Sequence, residues 1–274
     1  MSPDPRISRF RDAGEDLRHA KGLPDTPQGR SPSYRLAYAD TDFLLRDEMR
    51  GVRLQLELSK VEIELAERGI NSTVVIFGSA RVPEPRLREA AAAPGLAALS
   101  DAYGMARQFA RAVTERSLAS GGREYVVATG GGPGIMEAGN RGAAEAGGQS
   151  IGFNIVLPHE QRPNDFVTPD LCFNFHYFAV RKMHFLMRAR AIAVFPGGFG
   201  TLDEMFEAVT LMQTKRMKRV PILLFFPDYW RRVVNFPALV EAGVIAERDL
   251  ELLSFVETVD QALAAIDAAA TGQV

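Results

Sequence analysis

The chain is poor in the residues that most often carry chemistry. Of 274 residues one is cysteine, Cys172, and four are histidine. A lone thiol closes no intramolecular disulfide and fits a reducing compartment. His19, His159, His176 and His184 stand at no metal-ligand spacing to one another or to Cys172, so no metal is expected. No apolar run approaches the ~20 residues of a membrane helix. The opening MSPDPRISRFRDAGEDLRHAKG has no apolar core of the kind a secretory leader needs. Neither sign of charge is in excess: Lys+Arg 32 against Asp+Glu 34 gives a net charge of -2, which gives no reason to expect a nucleic-acid partner. GxxxxGK[ST], GxGxxG at a strand-to-helix turn and GxSxG are missing, which argues against a P-loop ATPase, a dinucleotide enzyme and a serine hydrolase. These absences leave a cytoplasmic globular protein with no membrane or nucleic-acid partner.

What is present is organised in three stretches. Residues 1–40 are rich in Pro, Gly, Asp and Arg without apolar periodicity, and read as a flexible N-terminal segment. Residues 41–70 read as a helix: Leu45, Met49, Val52 and Leu56 form one stripe, and Leu54, Leu58, Val61 and Leu65 a second, with Gly69 as the stop. From 71 to 274, strand-like runs such as TVVIFGSA, YVVATGGG, AIAVFPGG and VPILLFF alternate with helical stretches. Near-continuous apolar strands of this kind imply a parallel sheet covered on both faces. The expected fold class is α/β, a Rossmann-like doubly wound parallel sheet with an N-terminal helical extension.

Two glycine-rich turns stand where strands run into helices, the place ligands occupy in such folds. The first is Thr129-Gly130-Gly131-Gly132-Pro133-Gly134, and the second is Phe195-Pro196-Gly197-Gly198-Phe199-Gly200-Thr201. Glycines let a ligand approach the backbone, and the free amides of a helix start favour an anion. Such turns can also use glycine for geometry alone.

GGGPGIMEAGNRGA (130–143), Arg181-Lys182 and PGGFGTLDE (196–204) together resemble the LOG (Lonely Guy) family of nucleoside 5′-monophosphate phosphoribohydrolases. The resemblance spans roughly Thr73 to Phe226. It implies cleavage of the bond between base and ribose in a purine nucleotide, such as AMP or a cytokinin riboside monophosphate, without a cofactor. It makes 71–274 a nucleotide-binding catalytic domain with Arg181 and Glu204 as catalytic residues. Gly197, Gly198, Gly200 and Thr201 match the phosphate-holding loop. Gly78-Ser79 and Gly131, Gly132 and Gly134 match the other nucleotide-contacting turns, and Lys182 and Glu207 are further candidates for substrate contact. Where plant members have Met-His-Glu before the Arg-Lys pair, this chain has Phe178-Ala179-Val180. LOG proteins are at least dimers, so a homodimer or higher homo-oligomer is expected.

Plainer readings stand beside these. Thr201-x-x-Glu204 is also a capping box; Glu207 and Arg181 suit solvated helix faces, and Cys172 a core strand. A non-catalytic carrier on the same fold, similar to molybdenum-cofactor carriers, is the alternative function. Proteins with the PGGxGT signature have often been labelled possible lysine decarboxylases. That chemistry requires a Schiff-base lysine, and the chain offers only Lys21, Lys60, Lys182, Lys215 and Lys218.

Overall fold

The computed structural model describes residues 12–22, 25–158 and 162–271; His159 of the sequence reading lies outside them. The chain forms two units, Met1–Glu62 and Ile63–Val274.

The first unit holds α1 (Ala13–Lys21) and α2 (Thr41–Leu44), and most of α3 (Arg50–Glu67). Asp12 caps α1 by accepting from the Gly14 amide, and the Tyr38 hydroxyl donates to Ala13 O at 2.6 Å. Asp40 caps α2, accepting from the Phe43 amide at 3.4 Å. Within the stretch expected to be a flexible segment, the described residues form α1 and the 3-10 turns Pro32–Tyr34 and Ala37–Ala39. The expected long helix starts only at Arg50, because Arg46 is extended (φ -62, ψ 152) and separates α2 from α3. Of its two apolar stripes, Val61 and Leu65 are buried whereas Val52 and Leu56 are exposed.

The second unit is built on seven strands: β1 (Thr73–Phe77), β2 (Val126–Thr129), β3 (Ser150–Ile155), β4 (Cys172–Phe175), β5 (Ala189–Val194), β6 (Ile222–Phe225) and β7 (Leu253–Val256). All pair in parallel, in the order β4-β3-β2-β1-β5-β6-β7. Helices α4 (Pro94–Ala98), α5 (Ser100–Ala119), α6 (Ile135–Glu145), α7 (Phe178–Met187), α8 (Phe199–Gln213), α9 (Pro227–Val233), α10 (Phe236–Glu241) and α11 (Val259–Ala270) complete it. The doubly wound α/β class expected from the sequence is the one observed.

The central strands are apolar throughout because both faces are covered: Val74, Val75, Ile76, Ile192, Ala193 and Leu223 have no exposed surface. Small residues on α6 let it lie close to α5. A Cβ on Gly142 would stand 2.1 Å from Arg107 O, so only glycine allows that approach. From β1 the chain builds outward through β2 and β3 to β4, then returns to place β5 on the other side of β1. That reversal is a topological switch point, and it opens a crevice at the carboxyl ends of β1 and β5.

Candidate functional site

The crevice is a cleft of about 610 Å³, lined by the ends of β1, β2 and β3 and the starts of α7 and α8. Both glycine-rich turns reach it. Among the residues picked out from sequence, Gly78, Ser79, Gly132, Arg181, Gly198, Gly200, Thr201 and Glu204 line it; Gly131, Gly134, Gly197, Lys182 and Glu207 do not.

The glycines divide by what a side chain would meet. At Gly78 a Cβ would fall 2.5 Å from Ile135 Cγ2, and at Gly134 (φ 68) 2.5 Å from Ser79 O. Those two serve the close packing of the β1 turn against the start of α6. Gly131 (φ 70) has its missing Cβ position filled by the Asn154 carboxamide, 2.4 Å away, and Gly197 has Thr201 Oγ1 at 2.1 Å. Gly198 and Gly200 differ from all of these, since a Cβ on either would meet nothing within 4 Å. No packing contact accounts for glycine at those two positions, and both face the cleft.

Helix α8 begins immediately after this turn. Gly198 is its N-cap, without a side-chain cap bond, and the first helical amide bond runs from Leu202 N to Gly198 O at 3.0 Å. The amides ahead of Leu202 belong to an open helix start, where the backbone dipole favours an anion. The turn is braced from α9, whose Tyr229 hydroxyl donates to Gly197 O at 2.7 Å. The capping-box reading of Thr201 and Glu204 does not hold. With the helix starting at Phe199, Thr201 sits inside the first turn and Glu204 a turn deeper, too far along to reach the N-cap amide.

Glu204 instead meets Arg181. Arg181 Nη1 donates to Glu204 Oε1 at 3.2 Å and its Nε to Phe153 O at 2.7 Å. The guanidinium also stacks over the Phe185 ring at 5.0 Å. Its side chain is 9% exposed and that of Glu204 16%, so neither is a solvated surface residue. Burial pushes the Glu204 carboxyl up to about 7, against the opposing pull of Arg181 and with a further push from Asp203. The same burial lowers the Arg181 guanidinium, and the charge of Glu204 works against that. Glu204 lines the cleft, and strongly perturbed carboxyls in clefts cluster at functional sites.

Lys182, next in sequence, points elsewhere: its Nζ pairs with Asp203 at 3.3 Å and Glu207 at 2.8 Å. These ion pairs raise the Lys182 ammonium, the bond to Glu207 foremost. Lys182 and Glu207 thus hold α7 against α8 beside the cleft and keep the Arg181–Glu204 helices in register.

The sequence reading missed several lining residues. Gly130, named in the sequence only as part of the first glycine turn and given no role of its own, makes room for the guanidinium: a Cβ there would lie 2.5 Å from Arg181 Nη2. Asn154 is another, a lone amide at the end of an apolar strand; in SIGFNIVLP that polar interruption was the available signal. A buried network fixes the first glycine turn from behind. Asn164 Nδ2 donates to Gly131 O and Gly132 O at 3.1 and 2.9 Å, and the Gly131 amide donates to Thr129 Oγ1 at 2.9 Å. Asn140 ties both in, accepting from Thr129 Oγ1 at 2.7 Å and from Asn164 Nδ2 at 2.9 Å.

The family model described as Possible lysine decarboxylase matches residues 136–266, which include Arg181, the second glycine turn and Glu204. Residues 136–266 thus resemble that family. The label is the one often given to proteins with the PGGxGT signature, so the resemblance read from the sequence is borne out over this region. Strand β1 and the first glycine turn precede the family region. Similar solved structures include TM1055, a structural-genomics target (21% identity, 72% of this chain and 98% of that one, TM-score 0.48). A molybdenum-cofactor carrier protein from Chlamydomonas reinhardtii is 18% identical over 74% and 99% of the two chains, TM-score 0.47. The molybdenum-cofactor binding protein of the phototrophic bacterium Rippkaea orientalis is 19% identical over 72% and 96%, TM-score 0.46. No curated protein matches the chain. No lysine lines the cleft, so the residues there do not fit a cofactor that must be held as a lysine Schiff base. Among the described residues no group of His, Cys, Asp and Glu is arranged to hold a metal ion, and no helix is long and apolar enough to cross a membrane.

Proposed function

We propose that this chain hydrolyses the N-glycosidic bond of a purine nucleoside 5′-monophosphate, releasing free base and ribose 5-phosphate. The observation that carries the proposal is the buried Arg181–Glu204 pair beside a helix start whose two cleft-facing glycines have no packing role. The phosphate would sit on the amides of the Gly198–Thr201 turn, with the Thr201 hydroxyl beside it, and this would hold the anomeric carbon near Glu204. As the carbon–nitrogen bond breaks, its electron pair leaves with the base and positive charge builds on the sugar ring. The Glu204 carboxylate stabilises that charge and takes a proton from the water whose oxygen bonds to the anomeric carbon. That proton then passes to the nitrogen of the departing base, which leaves neutral and returns Glu204 to its carboxylate form. A positioned base of this kind is worth ~10²–10⁴-fold in rate. Arg181 acts by keeping the buried carboxylate available and aimed.

The test is a release assay on AMP, GMP, CMP, a cytokinin riboside monophosphate and adenosine, with Glu204→Gln alongside. Base and ribose 5-phosphate should appear from a monophosphate and not from adenosine, and the variant should lose at least a hundredfold in kcat. Tight nucleotide binding without release by the native protein would overturn the hydrolase and favour a carrier.

A further inference from the structure

A second cavity, of about 780 Å³, opens at the carboxyl end of the sheet and shares no lining residue with the cleft. It lies past the ends of β6 and β7 and is walled by α4, the start of α5 and α9. Its volume is that of a small-molecule site. The apolar walls are Leu96, Leu99, Met105, Phe226, Tyr229 and Val233, which include two aromatic rings and a thioether. Gly95 lines it as well. That glycine stands inside α4, where alanine is the more favourable residue, yet a Cβ there would meet nothing within 4 Å. As at Gly198 and Gly200, no packing contact accounts for it, and its effect is to keep the cavity open. Phe226 has left-handed backbone (φ 65, ψ 67), which bulky residues rarely adopt and which collects at binding sites.

The charged groups set the class of ligand. Arg232, Asp228 and Glu257 line the cavity. Asp228 pairs with Arg231 at 3.5 Å. Among the described residues the Arg232 guanidinium has no ion-pair or hydrogen-bond partner, and neither has the Glu257 carboxylate. Glu257 uses only its backbone amide, which donates to Gln261 Oε1 at 2.8 Å. A ligand bearing only negative charge would meet two carboxylates against one guanidinium. One bearing only positive charge would meet an unpaired guanidinium. A zwitterion answers both. We infer that this cavity binds an aromatic α-amino acid, its ring on the aromatic and thioether walls, its carboxylate on Arg232 and its ammonium on Glu257. Tyr229 connects the cavity to the cleft. Its ring is part of the wall, and its hydroxyl donates to Gly197 O at 2.7 Å in the turn that opens α8. A ligand packed on that ring holds the bond in place, so occupancy steadies the turn whatever the cleft itself takes.

The experiment is calorimetric titration of the full-length protein with phenylalanine, 3-phenylpropanoate and phenethylamine. Amide hydrogen exchange over residues 197–205 is followed with and without phenylalanine. Phenylalanine should bind, and each analogue, which lacks one of its charges, should bind roughly five- to tenfold more weakly. Arg232→Ala should bring phenylalanine down to the level of phenethylamine and leave phenethylamine unchanged. Gly95→Leu, which fills open space, should abolish binding without lowering stability. Exchange over the turn should slow severalfold with phenylalanine, and should no longer respond in Tyr229→Phe, which keeps the ring and loses the hydroxyl. No binding of phenylalanine overturns the site, as does binding that Gly95→Leu leaves intact. An analogue that binds as tightly as phenylalanine, or affinity unmoved by Arg232→Ala, overturns the amino-acid class. Binding that leaves exchange over the turn unchanged overturns the connection through Tyr229. No nucleotide enters these measurements, so loss of the hydrolase would leave the second site standing.

Discussion

Glu204 and Arg181 are 23 residues apart in sequence and joined in the fold by a single 3.2 Å bond. Each is costly to bury alone, and the pair is tolerated because each offsets part of the other's desolvation. The balance is incomplete, since the carboxyl still sits near 7. The proposed reaction needs the carboxylate, so kcat/KM should fall on the acid side with a midpoint near 7, and Glu204→Gln should abolish that limb along with the rate. Arg181 lowers the Glu204 value from where burial alone would put it. Arg181→Ala should therefore shift the acid limb to higher pH as well as lower kcat by about tenfold or more. A pH–rate profile for both variants checks this; an unmoved midpoint in Arg181→Ala would mean that Arg181 does not govern the titrating group. The sequence supplied both residues through the spacing in the LOG resemblance. It could not supply their burial, which depends on α7 and α8 meeting across β5, nor the commitment of Lys182 to Asp203 and Glu207.

At the scale of elements, the turn into α8 separates geometry from ligand space. Gly200 lies inside the helix, where glycine is ~0.5–1 kcal/mol less favourable than alanine, and a Cβ there touches nothing. Gly200→Ala should therefore raise the unfolding free energy by that amount while weakening binding of a nucleoside monophosphate at least tenfold. Gly197→Ala should behave differently: its Cβ would collide with the Thr201 side chain, so stability and binding should fall together. Chemical denaturation and calorimetry on the two variants separate the cases, and a Gly200→Ala protein that binds normally would show that this glycine faces no ligand. Strand and helix identities were legible because apolar runs such as TVVIF and AIAV end in small residues. Helix starts were less so. PGGFGTLDE reads as a capping box with the helix opening at Leu202, yet the observed helix starts at Phe199 because Gly198 takes the cap without any side chain.

For the whole molecule, the sequence showed a parallel sheet but not where the chain reverses. Nothing local to β5 says that it pairs with β1 rather than β4. That reversal places a carboxyl at the bottom of a crevice, and the fold carries the consequence as a pH dependence. Folded Glu204 titrates near 7, whereas an ordinary glutamate has 4.5, so between those values the folded state holds a proton that the unfolded state releases. A raised value of this kind contributes stability that is fully present below 4.5 and is lost as pH rises through 7. The size of the effect is about 3.5 kcal/mol at most, from ~1.4 kcal/mol per pH unit between 4.5 and about 7. Glu204→Gln removes the titrating group and leaves every other one in place. Measured by denaturant at pH 5 and pH 8, the stability of the native protein should therefore drop relative to the variant by up to about that amount at the higher pH. Parallel changes in the two proteins would mean that the folded carboxyl titrates like an exposed one, and that the cleft floor is wetter than its burial implies.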